Sequence, residues 1–181
     1  MRLPIGHHID PIEWSDLHGK NIAIPNSKLI THLQFRRFAG CPICNLHLQS
    51  FARRHAELKN NGIYEVAVFH SSAHDMMSYQ GDLPFEVLAD PQKRLYQLFG
   101  VETKKAASLH PSAMVAAAKG FFSKGVKLPP PGEGIDGLPA DFLIGPDGKI
   151  LACYYGQHSN DQWSVDTVLK LAREPLASLF A

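Results

Sequence analysis

Phe35-Arg36-Arg37-Phe38-Ala39-Gly40-Cys41-Pro42-Ile43-Cys44 is the stretch on which the fold turns. Residues 29–38 are dense in apolar and β-favouring side chains and read as a buried central strand. Residues 42–59 read as a helix, with Leu46, Leu48, Phe51, Ala52, His55 and Leu58 forming an approximate stripe. Two cysteines separated by two residues at a strand-to-helix junction are a redox signature. The spacing puts both sulfurs in the first helical turn. There, unpaired N–H groups and the positive end of the helix dipole favour a thiolate. Pro42 suits the first helical position, where its missing N–H would have been an orphan. The expectation is that Cys41, the more exposed sulfur, is the more acidic and attacks first. Cys44 then closes a small disulfide.

Working outward, the flanking chain repeats the strand–helix pattern. Ile22 and Ile24 alternate as a short strand would, after a turn at His18-Gly19. Asn60-Asn61-Gly62 ends the long helix, and residues 63–69 read as a second central strand. Ser71 or Ser72 can cap a short helix through Met77. Residues 85–88 form a third short strand, and Asp90-Pro91 starts a helix ending near Phe99-Gly100. Residues 103–136 read as an insertion, helix-prone over 106–119 and then a loop at Leu128-Pro129-Pro130-Pro131-Gly132. Residues 138–144 and 149–155 flank the turn Gly145-Pro146-Asp147-Gly148 and predict a hairpin. Residues 163–171 predict a closing helix capped by Ser164 or Asp161. Strand–helix–strand units imply parallel pairing, and the hairpin implies an antiparallel edge. The predicted architecture is a single α/β domain over residues 1–181, with three layers, α/β/α, around a mixed sheet.

Bulk properties narrow the function. At 181 residues the chain can bury a substantial core. Its 45% hydrophobic and 19% charged content is ordinary for a globular protein, and a net charge of +1 gives no reason to expect nucleic acid as a partner. No apolar run approaches the roughly 18 residues that span a membrane. The first ten residues carry no apolar core of a secretory signal. With three cysteines there is no disulfide framework. A cytoplasmic, reducing compartment is therefore expected, in which Cys41 and Cys44 do chemistry.

The order of these pieces resembles the thioredoxin fold, and within it the peroxiredoxin-like alkyl hydroperoxide reductase/thiol-specific antioxidant family. The resemblance rests on residues 35–44, on Leu88-Ala89-Asp90-Pro91 with Tyr96 and Phe99-Gly100-Val101, and on Leu138-Pro139-Ala140-Asp141-Phe142-Leu143-Ile144 with Asp147-Gly148-Lys149-Ile150. It implies a thiol-dependent oxidoreductase that reduces peroxides or protein disulfides. Electrons would come from an external thiol donor, thioredoxin- or glutathione-like, with no bound cofactor. It also implies that Pro139 is a cis proline facing the cysteines, leaving the Leu138 backbone free to pair with a substrate strand. If the chain is framed as a peroxiredoxin, the attacking cysteine becomes Cys44.

Around the dithiol, one of Arg36 and Arg37 is expected to point at the sulfurs and favour a thiolate, since strand side chains alternate. The competing reading is a pair of solvated strand-end charges. His47, three residues after Cys44, can tune its proton affinity or simply pack on the helix. Asp141 is a site acid or an edge charge. Cys153 reads as a sheet residue. The competing class for the whole chain is a binding module without turnover, holding zinc through the two cysteines or docking a protein partner.

Overall fold

The computed structural model describes residues 1–101 and 137–179, with side chains through residue 173. The predicted insertion at 103–136 lies outside the described residues. The chain runs β1 (Ile12–Ser15), β2 (Asn21–Ile24), β3 (Ile30–Phe35), α1 (Pro42–Arg53), α2 (His55–Asn60), β4 (Ile63–Phe69), α3 (Ala73–Gln80), β5 (Glu86–Ala89), α4 (Arg94–Leu98), β6 (Ala140–Ile144), β7 (Ile150–Tyr155) and α5 (Val165–Leu179).

Five strands form the central sheet in the order β5-β4-β3-β6-β7. β3 pairs parallel with β4, and β4 with β5, while β6 runs antiparallel to both β3 and β7. This is the mixed α/β sheet expected from sequence. β3 sits at its centre with every residue buried. One face packs Ile30, Ile63, Ala67, Phe69 and Leu143 under Leu48 and Phe51 of α1, Leu58 of α2, and Val168 and Leu169 of α5. The other face packs Leu33, Phe35, Val66, Val68 and Phe142 under Leu95, Tyr96 and Phe99. The antiparallel β1–β2 hairpin adds Ile22 and Ile24 to that second face. Its first strand, Ile12–Ser15, escaped the sequence reading because it is four residues long and alternates between half-buried and exposed positions.

Three boundaries differ from expectation. The helix predicted over 42–59 breaks at Arg54, whose φ of −110° leaves the helical region and whose N–H turns back to the Phe51 carbonyl. The Arg54 side chain there joins Glu57 and Asp166. The helix after Asp90-Pro91 begins only at Arg94, because Lys93 takes a left-handed conformation with φ 56°. The Asp90 carboxylate still caps it, accepting the N–H groups of Arg94 at 2.9 Å and Leu95 at 2.8 Å. α5 runs on to Leu179 instead of ending at residue 171, with Ser164 accepting the Thr167 N–H at 3.2 Å.

Asp90 is buried and satisfies backbone donors that have no other partner in α4. Asp90→Ala should lower stability by about 1–2 kcal/mol. Urea denaturation reads this out, and an unchanged midpoint would show that the cap contributes nothing.

Candidate active site

The loop leaving β3 delivers Cys41 as the N-cap of α1, with Pro42 in the first helical turn as predicted. Three contacts hold that loop. The Ala39 N–H donates to Ser71 Oγ at 2.7 Å, the Ala39 carbonyl accepts from buried Gln80 at 2.8 Å, and Asn45 Nδ2 donates to the same carbonyl at 3.1 Å. The Cys44 N–H donates to Cys41 Sγ at 3.3 Å, so the first sulfur takes the capping place usually held by serine or aspartate. Both cysteines are free thiols, one turn apart, within reach of a disulfide.

Their burial and acidity correct the sequence expectation. Cys41 is not the exposed sulfur: it is 0% accessible, and Cys44 is 1%. Burial pushes the Cys41 thiol well up, and its hydrogen bond and charge interaction with Cys44 push the same way, against the opposing charge of Arg37. Burial also pushes Cys44 up. The hydrogen bond from Cys41, the Arg37 charge, the Arg37 backbone N–H and the Arg36 charge together outweigh it and bring Cys44 down to about 7. Two neighbouring thiols cannot both ionise easily in a dry site; the hydrogen bond between them favours the Cys44 thiolate, and the Arg37 and Arg36 charges add to it. The dipole argument for Cys41 fails because burial and the interaction with Cys44 outweigh the Arg37 charge and the one backbone N–H that favour its thiolate.

Arg36 and Arg37 are both buried, at 1% and 4%, so neither is a solvated strand-end charge. Both act on Cys44, although alternation had assigned only one to the sulfurs. Alternation stops at Phe35, where β3 ends. The Arg36 carbonyl lies 2.5 Å from the hydroxyl of buried Tyr96, which also faces the Val68 carbonyl at 3.0 Å. Gly137 lies against Arg37, so the segment entering β6 does pass the site.

Pro139 does not play its predicted part. Among the described residues the cis bond is Ile24–Pro25, and Leu138–Pro139 is trans. The Pro139 carbonyl accepts the Gly156 N–H at 2.9 Å. That carbonyl is thus committed to the neighbouring chain where β7 ends.

Beneath the cysteines lies a row of buried polar side chains that the sequence reading missed in part. His32 and Gln34 share one face of β3 and Arg36 continues their line. Glu65 of β4 is the register partner of His32, and Asp141 of β6 is that of Gln34. Arg36 donates to Gln34 Oε1 through Nε at 2.8 Å and to Asp141 Oδ1 through Nη2 at 2.7 Å. The same Nη2 lies 3.1 Å from His47 Nε2. A guanidinium only donates, so His47 accepts there and carries its proton on Nδ1. His32 Nδ1 is 2.7 Å from Glu65 and its Nε2 is 3.3 Å from Asp141 Oδ1. Gln34 also donates to Glu65, and the Trp163 N–H donates to Asp141 at 3.1 Å.

Burial opposes charge on His32, but Glu65 and Asp141 outweigh it and hold the imidazolium up to about 9. Burial pushes Asp141 up, while Arg36 and His32 hold it well below the usual carboxylate range. Burial and the Arg36 charge keep His47 neutral, well below its ordinary value. Asp141 and His47 were candidates from sequence. His32, Glu65 and Gln34 were not, although polar residues two apart in an otherwise apolar central strand were the signal available.

A depressed carboxylate contributes stability above its unfolded value, about 3.9, and loses it as pH falls toward the folded value. The stability gap between wild type and Asp141→Asn should therefore be full above pH 4 and shrink below it. A gap that widens on acidification, read by thermal denaturation, would contradict the ion pair.

A family profile described as AhpC/TSA antioxidant enzyme matches residues 50–158, more than half of the chain. The chain belongs to that family, a peroxiredoxin-like branch of the thioredoxin fold, and is a thiol-dependent oxidoreductase. The matched stretch begins after Cys44, so it does not itself assign the cysteines. Peroxidoxin BcpB from Mycobacterium tuberculosis superposes with a TM-score of 0.67 at 17% identity, over 94% of this chain and 96% of that one. Peroxiredoxin 6 of Arenicola marina gives 0.73 at 13% identity, over 98% and 75%. A putative thiol:disulfide interchange protein DsbE from Chlorobium tepidum gives 0.60 at 18% identity, over 94% and 99%. At these identities the likeness is one of fold. No curated protein sequence matches the chain. Among the described residues no cluster of three or more His, Cys, Asp or Glu could hold a metal ion, and no helix is long and apolar enough to cross a membrane.

Proposed function

We propose that Cys41 and Cys44 cycle between dithiol and disulfide, with Cys44 as the attacking thiolate, and that the oxidant is a small peroxide. The observation that carries this is the convergence of Arg36, Arg37 and the Arg37 backbone N–H on a buried sulfur held near neutrality. The thiolate attacks one peroxide oxygen and breaks the O–O bond. Cys44 becomes a sulfenic acid and the other oxygen leaves as alcohol or water after taking a proton. Cys41 then attacks Cys44, its proton leaves with the hydroxyl as water, and the disulfide closes. An external thiol donor, thioredoxin- or glutathione-like, restores the dithiol by exchange. Burial of both sulfurs favours a peroxide over a protein disulfide, which has to bring a whole chain to the attacking atom. The cycle needs no bound cofactor and suits a reducing, cytoplasmic compartment.

Stopped-flow reaction of the reduced protein with hydrogen peroxide, with an alkyl hydroperoxide and with a disulfide-bonded peptide tests the choice. Peroxide should react fastest. A faster peptide reaction would make the protein a disulfide reductase. Mass spectrometry of the oxidised protein should show the loss of two hydrogens mapped to the peptide holding Cys41 and Cys44. A bridge through Cys153 would remove the assignment.

A further inference from the structure

The ion row under the cysteines asks for an explanation. Burying ionised groups is costly before pairing repays it, and apolar side chains would fill the same space. Arg36, Asp141, His32 and Glu65 are all buried. They alternate in sign along one line, from Cys44 at the helix end to Glu65, which also lines a cavity of about 210 Å³. One guanidinium serves two anions: Arg36 Nη2 holds Asp141 Oδ1, and the Arg36 charge also favours the Cys44 thiolate. The oxygen that Arg36 holds is the one facing His32 Nε2.

We propose that His32 is a redox-linked proton site, which holds its proton more tightly while Cys44 is a thiolate than after the Cys41–Cys44 disulfide has formed. The inference rests on the dithiol function proposed above. While the thiolate is present, Arg36 is shared, and Asp141 depends more on His32 for its countercharge. When oxidation removes the thiolate, Arg36 turns wholly to Asp141, and the second cation beside that carboxylate becomes surplus. A charge in a dry site makes itself felt over such a distance. The groups facing His32 are Glu65 from β4, Asp141 from β6, Gln34 and Arg36 from its own strand, and neutral His47 with the Phe51 ring from α1. The Trp163 ring stacks on it from before α5. Of these, Asp141 and Arg36 connect His32 with the sulfur.

The balance fits the reaction. Cys44 thiolate, ROOH and one proton give Cys44 sulfenic acid and ROH; Cys41 thiol and the sulfenic acid then give disulfide and water. Near neutral pH that proton comes from solvent; in the interval just below pH 9, where oxidation empties His32 in part, His32 supplies a share of it, and reduction returns it.

The test is a ¹³C-edited NMR titration of the histidine ring signals in the reduced protein and again in the peroxide-oxidised disulfide. The His32 resonance is assigned by its loss in His32→Gln. Its titration should move about one pH unit lower on oxidation, a tenfold fall in proton affinity. By reciprocity, His32→Gln should raise the Cys44 titration by a similar amount, read as thiolate absorbance. If that variant does not fold, proton uptake on oxidation of the wild type in unbuffered solution gives a second reading: just below pH 9 it should fall short of one proton per disulfide, and a full proton there would overturn the coupling. A protein that forms no Cys41–Cys44 disulfide overturns the dithiol function, and the coupling with it. A protein that forms the disulfide while His32 titrates identically in both states overturns the proton coupling alone.

Discussion

Cys44→Ser should cut peroxide turnover by at least about a thousandfold, the scale on which removal of a nucleophile is felt. The serine hydroxyl fits the space but does not ionise near neutral pH, so Arg36 and Arg37 have no anion to stabilise. Cys41 cannot stand in. Its thiol is pushed well above its ordinary value by burial, and its sulfur accepts the residue 44 N–H as the helix cap. Cys41→Ser should behave differently. The first oxidation proceeds, no disulfide closes, and Cys44 sulfenic acid accumulates, where a dimedone-type probe captures it. The pair of variants also decides the order of attack. Should Cys41→Ser lose the first oxidation while Cys44→Ser keeps it, the electrostatic assignment is reversed, and alkylation at mildly acidic pH should then label Cys41 first.

Arg36→Met should have the largest effect on the folded state. The side chain is among the largest that are fully buried, and its removal leaves Asp141 as a buried carboxylate with His32 as its remaining cation and the Trp163 N–H as a donor. Breaking a buried pair from one side costs about 3–5 kcal/mol. The second effect is on the sulfur. Without Arg36 the Cys44 thiol moves from about 7 toward its ordinary value. The thiolate fraction at pH 7 then falls below one half and the rate of attack falls with it, while Arg37 and the Cys41 hydrogen bond keep part of the lowering. Raising the pH restores the thiolate and should recover that loss, whereas the stability loss should remain. A variant with wild-type stability and an unmoved pH–rate midpoint would show that Arg36 neither anchors the row nor tunes Cys44.

The family and the dithiol were legible because they are written in local order. A cysteine pair at a strand-to-helix junction, a proline at the first helical position and the strand–helix alternation around them all depend on near neighbours in sequence. The parallel pairing of β3 with β4 and the antiparallel hairpin of β6 and β7 followed from connection lengths and turn residues. Two readings failed for the opposite reason. Whether Leu138–Pro139 is cis depends on its tertiary surroundings, which its neighbours in sequence do not carry, and it is trans. Which cysteine ionises depends on how deeply both are buried, on the bond between them and on where two guanidiniums come to rest.

The sequence by itself therefore determined the mixed α/β sheet, the place of Cys41 and Cys44 at the start of α1, and the redox class, since each follows from periodicity and spacing along the chain. Tertiary structure alone decided that both sulfurs are buried, that Cys44 is the more acidic, and that His32, Glu65, Asp141 and Arg36 form one charged row. The physical reason is that charge acts through space. Glu65 and Asp141 lie far from Cys44 in sequence, and only the register of β4 and β6 against β3 brings their carboxylates to one line beneath it.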